Sequence, residues 1–121
     1  MNKKYEFYYE GHIEEWFKEN YFIFDFDFIM PFWPGDYLAI KDNAPIIIEL
    51  ELNSSGVWLH KFAQRKYFDY LICFHIYDID KIRLEGAKMK YFSIEEYLED
   101  DLIQQRLNEL IKRMGIKKLP W

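Results

Sequence analysis

The stretch Asp36-Tyr-Leu-Ala-Ile-Lys-Asp-Asn-Ala-Pro-Ile-Ile-Ile-Glu-Leu-Glu-Leu52 decides the fold. Asp and Asn tolerate left-handed backbone, so Asp42-Asn43 reads as a tight turn, and Pro45 suits the first position of a strand. The prediction is a hairpin of Asp36–Lys41 with Pro45–Leu52. Ile46-Ile-Ile48 has no polar alternate, so the first half of the second strand is expected to be buried on both faces. Glu49 and Glu51 follow near its end. Strand periodicity sends both side chains out of one face, about 7 Å apart along the backbone. A turn centred on Asp42-Asn43 pairs Lys41 with Ala44 and therefore sets Asp36 opposite Glu49 on that face.

Before the hairpin, Gly11–Asn20 reads as a helix with Ile13, Trp16 and Phe17 on one side. Tyr21–Ile29 alternates with period two, which predicts a strand carrying Phe22, Phe24, Phe26 and Phe28 on one face. Met30–Gly35, with two prolines and a glycine, is expected to be a loop. After the hairpin, Ser54-Ser-Gly56 breaks the pattern, and a helix is expected over Val57–Phe68. Tyr70–Tyr77 is an apolar run of the kind found in a strand buried on both faces. Asp78–Lys81 reads as a turn, with short strands near Lys81–Leu84 and Lys88–Phe92. Ser93-Ile-Glu-Glu96 is a capping box, so a last helix should start at Ile94. Its buried side is expected to hold Leu98, Leu102, Leu107, Leu110, Ile111 and Met114, and Gly115 is its expected stop. The frayed or docked tail is Ile116–Trp121. This order predicts one α/β (α+β) domain over residues 1–121, a mixed central sheet flanked by helices.

Composition supports that class. Half of the 121 residues are apolar and 21% are aromatic, enough for a core with some aromatic surface left for a partner. The formal charge of −5 argues against a protein coated in basic residues, although acidic metal sites belong to many enzymes of nucleic acids. The single cysteine, Cys73, sits within an apolar run and is expected in the core; a disulfide framework is excluded. No stretch approaches the roughly 20 apolar residues that span a bilayer. With no secretory signal at Met1, the expectation is a soluble, cytoplasmic chain with no membrane partner.

Two carboxylates on one buried face repel each other unless a cation or a proton relieves them. Hard oxygen donors from Asp36, Glu49 and Glu51 suit Mg²⁺ or Mn²⁺. Helix, strand, hairpin with Asp on its first strand and Glu-x-Glu on its second, helix and buried strand together resemble the restriction-endonuclease-like superfamily of PD-(D/E)xK nucleases. The resemblance covers Gly11 to Tyr77, roughly half of the chain. Pro34-Gly-Asp36 stands where that family has Pro-Asp, and Glu49-Leu-Glu51 where it has Glu-x-Lys.

The resemblance implies metal-dependent hydrolysis of a phosphodiester, in DNA before RNA. It implies Asp36 and Glu49 as the main metal ligands and Glu51 as ligand or general base. Glu14 or Glu15 of the first helix would hold the metal's waters. The positive charge of the missing lysine would come from Lys61 or Lys66, and Gln64 is a further candidate on the same helix. A homodimer is the simplest way for so small a domain to cut both strands of a duplex. The alternative is a catalytically inactive nuclease-fold module for interaction or dimerisation, favoured by Glu51 in the lysine position. Asp25 and Asp27 form a rival Asp-x-Asp, His12, His60 and His75 lack zinc spacing, and Lys112-Arg113 suits a helix C-terminus.

Overall fold

The computed structural model describes residues 6–32, 36–56 and 68–115. The expected helix over Val57–Phe68, apart from Phe68 itself, and the tail after Gly115 lie outside the described residues. Helix α1 (Glu10–Asn20) is followed by a 3-10 turn (Tyr21–Phe24) and strands β1 (Phe28–Pro31), β2 (Tyr37–Lys41) and β3 (Ala44–Asn53). Strand β4 (Tyr70–His75), helix α2 (Asp78–Gly86), strand β5 (Lys90–Ser93) and helix α3 (Ile94–Met114) complete the order. The sheet runs β1-β2-β3-β4-β5: the first three strands form an antiparallel meander, and β4 and β5 add in parallel. It is a mixed sheet with helices, an α+β fold.

Asp42 and Asn43 both take left-handed backbone, with φ of 52° and 64°. That closes a two-residue turn whose twist matches its strands. Lys41 pairs with Ala44 and Tyr37 with Ile48, so Asp36 stands opposite Glu49 as the sequence predicts. One face of the sheet carries Tyr37, Ala39, Ile48, Leu50 and Ile72 into a core with Ile13, Trp16 and Phe17 of α1. Leu71 and Cys73 on the other face pack with Phe68, Ile76 and Leu84 of α2. Glu49 pairs with Leu71 and Glu51 with Cys73, which puts both glutamates on this second face.

Four expectations are corrected, the first being the loop over Met30–Gly35, of which Met30 and Pro31 instead belong to β1 and pair with Leu38 and Tyr37. Tyr21–Ile29 is not one strand, because Asp25 turns left-handed (φ 59°) after the 3-10 turn. Phe24 and Phe26 are consequently buried and stack with centroids 5.4 Å apart, while Phe22 and Phe28 are exposed. The alternating aromatics serve a compact turn that wraps the end of α1. The turn and strand expected over Asp78–Leu84 are instead α2, with Asp78 and Asp80 in its first turn, where the helix dipole favours acids. In α3 only Ile94 is buried; Leu98, Leu102, Leu110 and Met114 are exposed, since the helix outruns the sheet that anchors it. The ends of α3 do match the sequence: Ser93 Oγ accepts from Glu96 N, and Gly115 closes the helix at φ 71°. Among the described residues no helix is long and apolar enough to cross a membrane.

Asn43→Val places a β-branched residue in the left-handed region and is expected to cost about 1–2 kcal/mol, whereas Asn43→Gly should hold or raise stability. Urea unfolding of the two variants checks this, and equal midpoints would contradict the turn.

Candidate functional site

The register sets Asp36 opposite Glu49, and Glu51 follows on the same face of β3. Strand β2 begins at Tyr37, and Asp36 just before it has left the ladder. Its backbone N–H donates to Ile48 O at 3.1 Å, and its carboxylate accepts from Leu50 N at 2.7 Å. The Asp36 side chain thus replaces the next backbone acceptor and is fixed at the edge of Glu49-Leu50-Glu51. Glu49 is fully buried and Glu51 is 8% exposed. A Cβ at Gly56 would lie 2.9 Å from Glu51 Oε2, so only glycine fits there without moving the carboxylate.

On the other side of β3, α1 presents its first two turns. Glu14 accepts a 2.7 Å hydrogen bond from the Tyr37 hydroxyl and pairs with Lys18 at 3.4 Å. Glu10, Gly11, Glu14, Asp36, Tyr37 and Leu50 line a cavity of about 130 Å³. Glu14 thus shares a cavity with Asp36, and exposed Glu15 is not among the lining residues. Glu10 is a residue the sequence reading missed; its signal was an acid in the first turn of α1, one position ahead of the predicted start.

Burial and the surrounding negative charge act on two neutral acids. Burial, the hydrogen bond to Glu14, and the charges of Glu14 and Asp36 push the Tyr37 hydroxyl well above its ordinary value of 10.0. Burial, then the charges of Glu51, Asp80, Glu10 and Glu49, push the Cys73 thiol well above 9.0. Cys73 is a core residue, as expected, and is kept as a thiol. Next to it Ser54, fully buried, donates to Asp80 Oδ2 at 2.6 Å and accepts from Tyr77 N at 2.9 Å. That pair ties the end of β3 to the start of α2.

The other candidates lie elsewhere. Asp27 accepts from Asp42 N at 3.3 Å, so the rival Asp-x-Asp braces the hairpin turn, at the opposite end of β2 from Asp36. His12 Nδ1 accepts from Tyr8 N and Tyr9 N at the start of α1, and His75 pairs with Glu95 at 3.3 Å. Lys112 and Arg113 sit in the last turn of α3. Lys61, Gln64, Lys66 and His60 lie outside the described residues. Asp36, Glu49, Glu51, Glu10 and Glu14 offer only hard oxygen donors, the chemistry that Mg²⁺ or Mn²⁺ takes. Among the described residues no three His, Cys, Asp or Glu side chains are grouped closely enough to hold a metal ion.

A raised folded-state pKa contributes stability that is complete below the unfolded value and is lost as pH climbs past it. Stability is therefore expected to fall from about pH 9 upward, where Cys73 and then Tyr37 would ionise in the unfolded chain. Tyr37→Phe should be about 1 kcal/mol less stable at neutral pH through the lost hydrogen bond and show a shallower alkaline fall in urea midpoints. Ser54→Ala, which leaves Asp80 without its buried donor, is expected to cost about 1–3 kcal/mol in the same measurement. No family model, no curated protein and no solved structure matches the chain.

Proposed function

We propose that the chain is a small divalent-metal-dependent nuclease of the restriction-endonuclease-like kind, hydrolysing phosphodiester bonds in DNA rather than RNA. The observation that carries the reading is the register that sets Asp36 opposite Glu49; Asp36 also lines the cavity with Glu10 and Glu14 on the α1 side of the sheet. The order of elements supports it too: a helix, an antiparallel meander, and a strand added in parallel beyond the meander's last strand. The resemblance rests on a helix, a strand, a hairpin, a helix and a buried strand; the second of those helices falls outside the described residues.

In this reading Asp36 and Glu49 would hold Mg²⁺ or Mn²⁺, with Glu51 on the same face as Glu49 and Glu14 on the α1 side of Asp36. A bound ion would polarise the phosphate and lower the pKa of a water. The chain's own residues position the reaction. Leu50 N fixes the Asp36 carboxylate, and Tyr37 orients Glu14 while staying protonated. Glu51 takes a proton or a ligand position; it stands where the family has lysine. Lys61, Lys66 or Gln64 would supply the charge or hydrogen bond of that lysine.

The second reading, a catalytically silent nuclease-fold module, is favoured by Glu51 itself, because a carboxylate there adds no positive charge for the developing anion. Cleavage of DNA and RNA with Mg²⁺ or Mn²⁺ separates the two. Wild type is expected to cut and to stop with chelator, and Glu49→Gln, chosen to keep side-chain shape, should lose roughly 100-fold or more of the rate. Activity that survives Glu49→Gln would remove the site. Calorimetric Mn²⁺ binding that Glu49→Gln abolishes, without cleavage by wild type, would select the silent module.

A further inference from the structure

Helix α3 is 21 residues long, about 31 Å, and among the described residues its buried position lies in its first turn. Ile94 is buried and Tyr97 packs against the core. Beyond them Ile103, Leu107, Leu110 and Met114 follow at spacings of four, three and four, the seam of a coiled coil. Ile103, Leu110 and Met114 are 58%, 49% and 63% exposed. At about 100° per residue this stripe lies roughly 170° around the helix from Ile94. It faces away from the described residues that anchor α3.

We propose that this stripe packs on the same stripe of a second copy, antiparallel across a two-fold axis. Charge on the helix decides the partner and the direction. The two seam positions before Ile103 are Asp100 and Glu96, with Glu99 and Asp101 close by. The last turn carries Lys112 and Arg113, and Lys117 and Lys118 follow Gly115 in the sequence. A parallel pair would press Asp100 on Asp100 and stack acid on acid. An antiparallel pair sets Ile103 against Met114 of the second copy and Leu107 against its Leu110. The acids before Ile103 then pass beyond the other helix's last turn, with Asp101 and Asp100 about one turn from the levels of its Lys112 and Arg113, instead of lying against one another. A closed two-fold contact of this kind uses one patch twice and stops at two copies. Arg106 and Arg113 border the seam with their charged ends in water, where their stems widen the apolar strip.

Two such seams bury on the order of 1,000 Å², at the low end of specific interfaces, so the expected dissociation constant is about 1–100 µM. Sedimentation of wild type across that range should show a monomer–dimer equilibrium, and a monomer throughout would overturn the proposal. Leu107→Glu with Leu110→Glu should weaken the dimer at least 10-fold. Both positions lie beyond the anchored turns, so near-ultraviolet circular dichroism and the unfolding midpoint should stay those of the wild-type domain. A dimer untouched by this pair would place the contact elsewhere and overturn the proposal. Oxidative cross-linking reads direction. A mixture of Ile103→Cys and Met114→Cys chains should give the mixed disulfide, with buried Cys73 unreactive. Efficient self-linking of Ile103→Cys alone would overturn the antiparallel arrangement.

Discussion

Left-handed backbone at Asp42 and Asn43 is the constraint on which the sheet depends. A turn of one more or one fewer residue would slide β3 against β2 and exchange its faces. Ile48 and Leu50 would then leave the aromatic core, and Glu49 and Glu51 would enter it. The observed turn forbids that. It fixes Asp36 at the point where β2 leaves the ladder, and the parallel addition of β4 against β3 then completes the second face with Leu71 and Cys73.

The two faces of the sheet differ in what burial costs. On the α1 side the core is closed by rings, with Trp16, Phe17, Phe24, Phe26 and Phe92 meeting edge to face or stacked. Its one polar demand is at the rim, where the buried Tyr37 keeps its proton to donate to Glu14. The other face combines apolar contacts with Glu49, Glu51 and the Ser54–Asp80 pair, so its stability is tied to hydrogen bonding and to charge. Carboxylates thus stand on both sides of β3, with Glu49 and Glu51 on the second face and Glu10, Glu14 and Asp36 around the cavity on the α1 side, and the aromatic core supplies the stiffness between them.

Much of this was legible in the residues. The Asp-Asn turn, the Ile run and the capping box at Ser93 each carry a local signal strong enough to act without tertiary help. The Glu49–Asp36 alignment followed from the turn alone. Tyr21–Ile29 misled because alternating aromatics look the same whether they line a strand or fold around a helix end, and Asp25 gives no sign of its left-handed state. Asp78–Leu84 misled because a short helix preceded by no side-chain cap has little signature. The leucines of α3 were read as core from spacing alone, which reports that a helix has an apolar side and says nothing about whether a neighbour is there. Glu10 was missed because a helix start is the least sharply encoded part of its sequence.

The bond between Ser54 and Asp80 also sets an order of assembly. Its partners are 26 residues apart in the chain, whereas the hairpin closes between neighbours. Loop closure of that length has to wait for β4 and the first turn of α2. The emerging chain can thus make the meander while the far side of β3 still faces water, with Glu49 and Glu51 hydrated. Their dehydration waits for β4 to dock against β3.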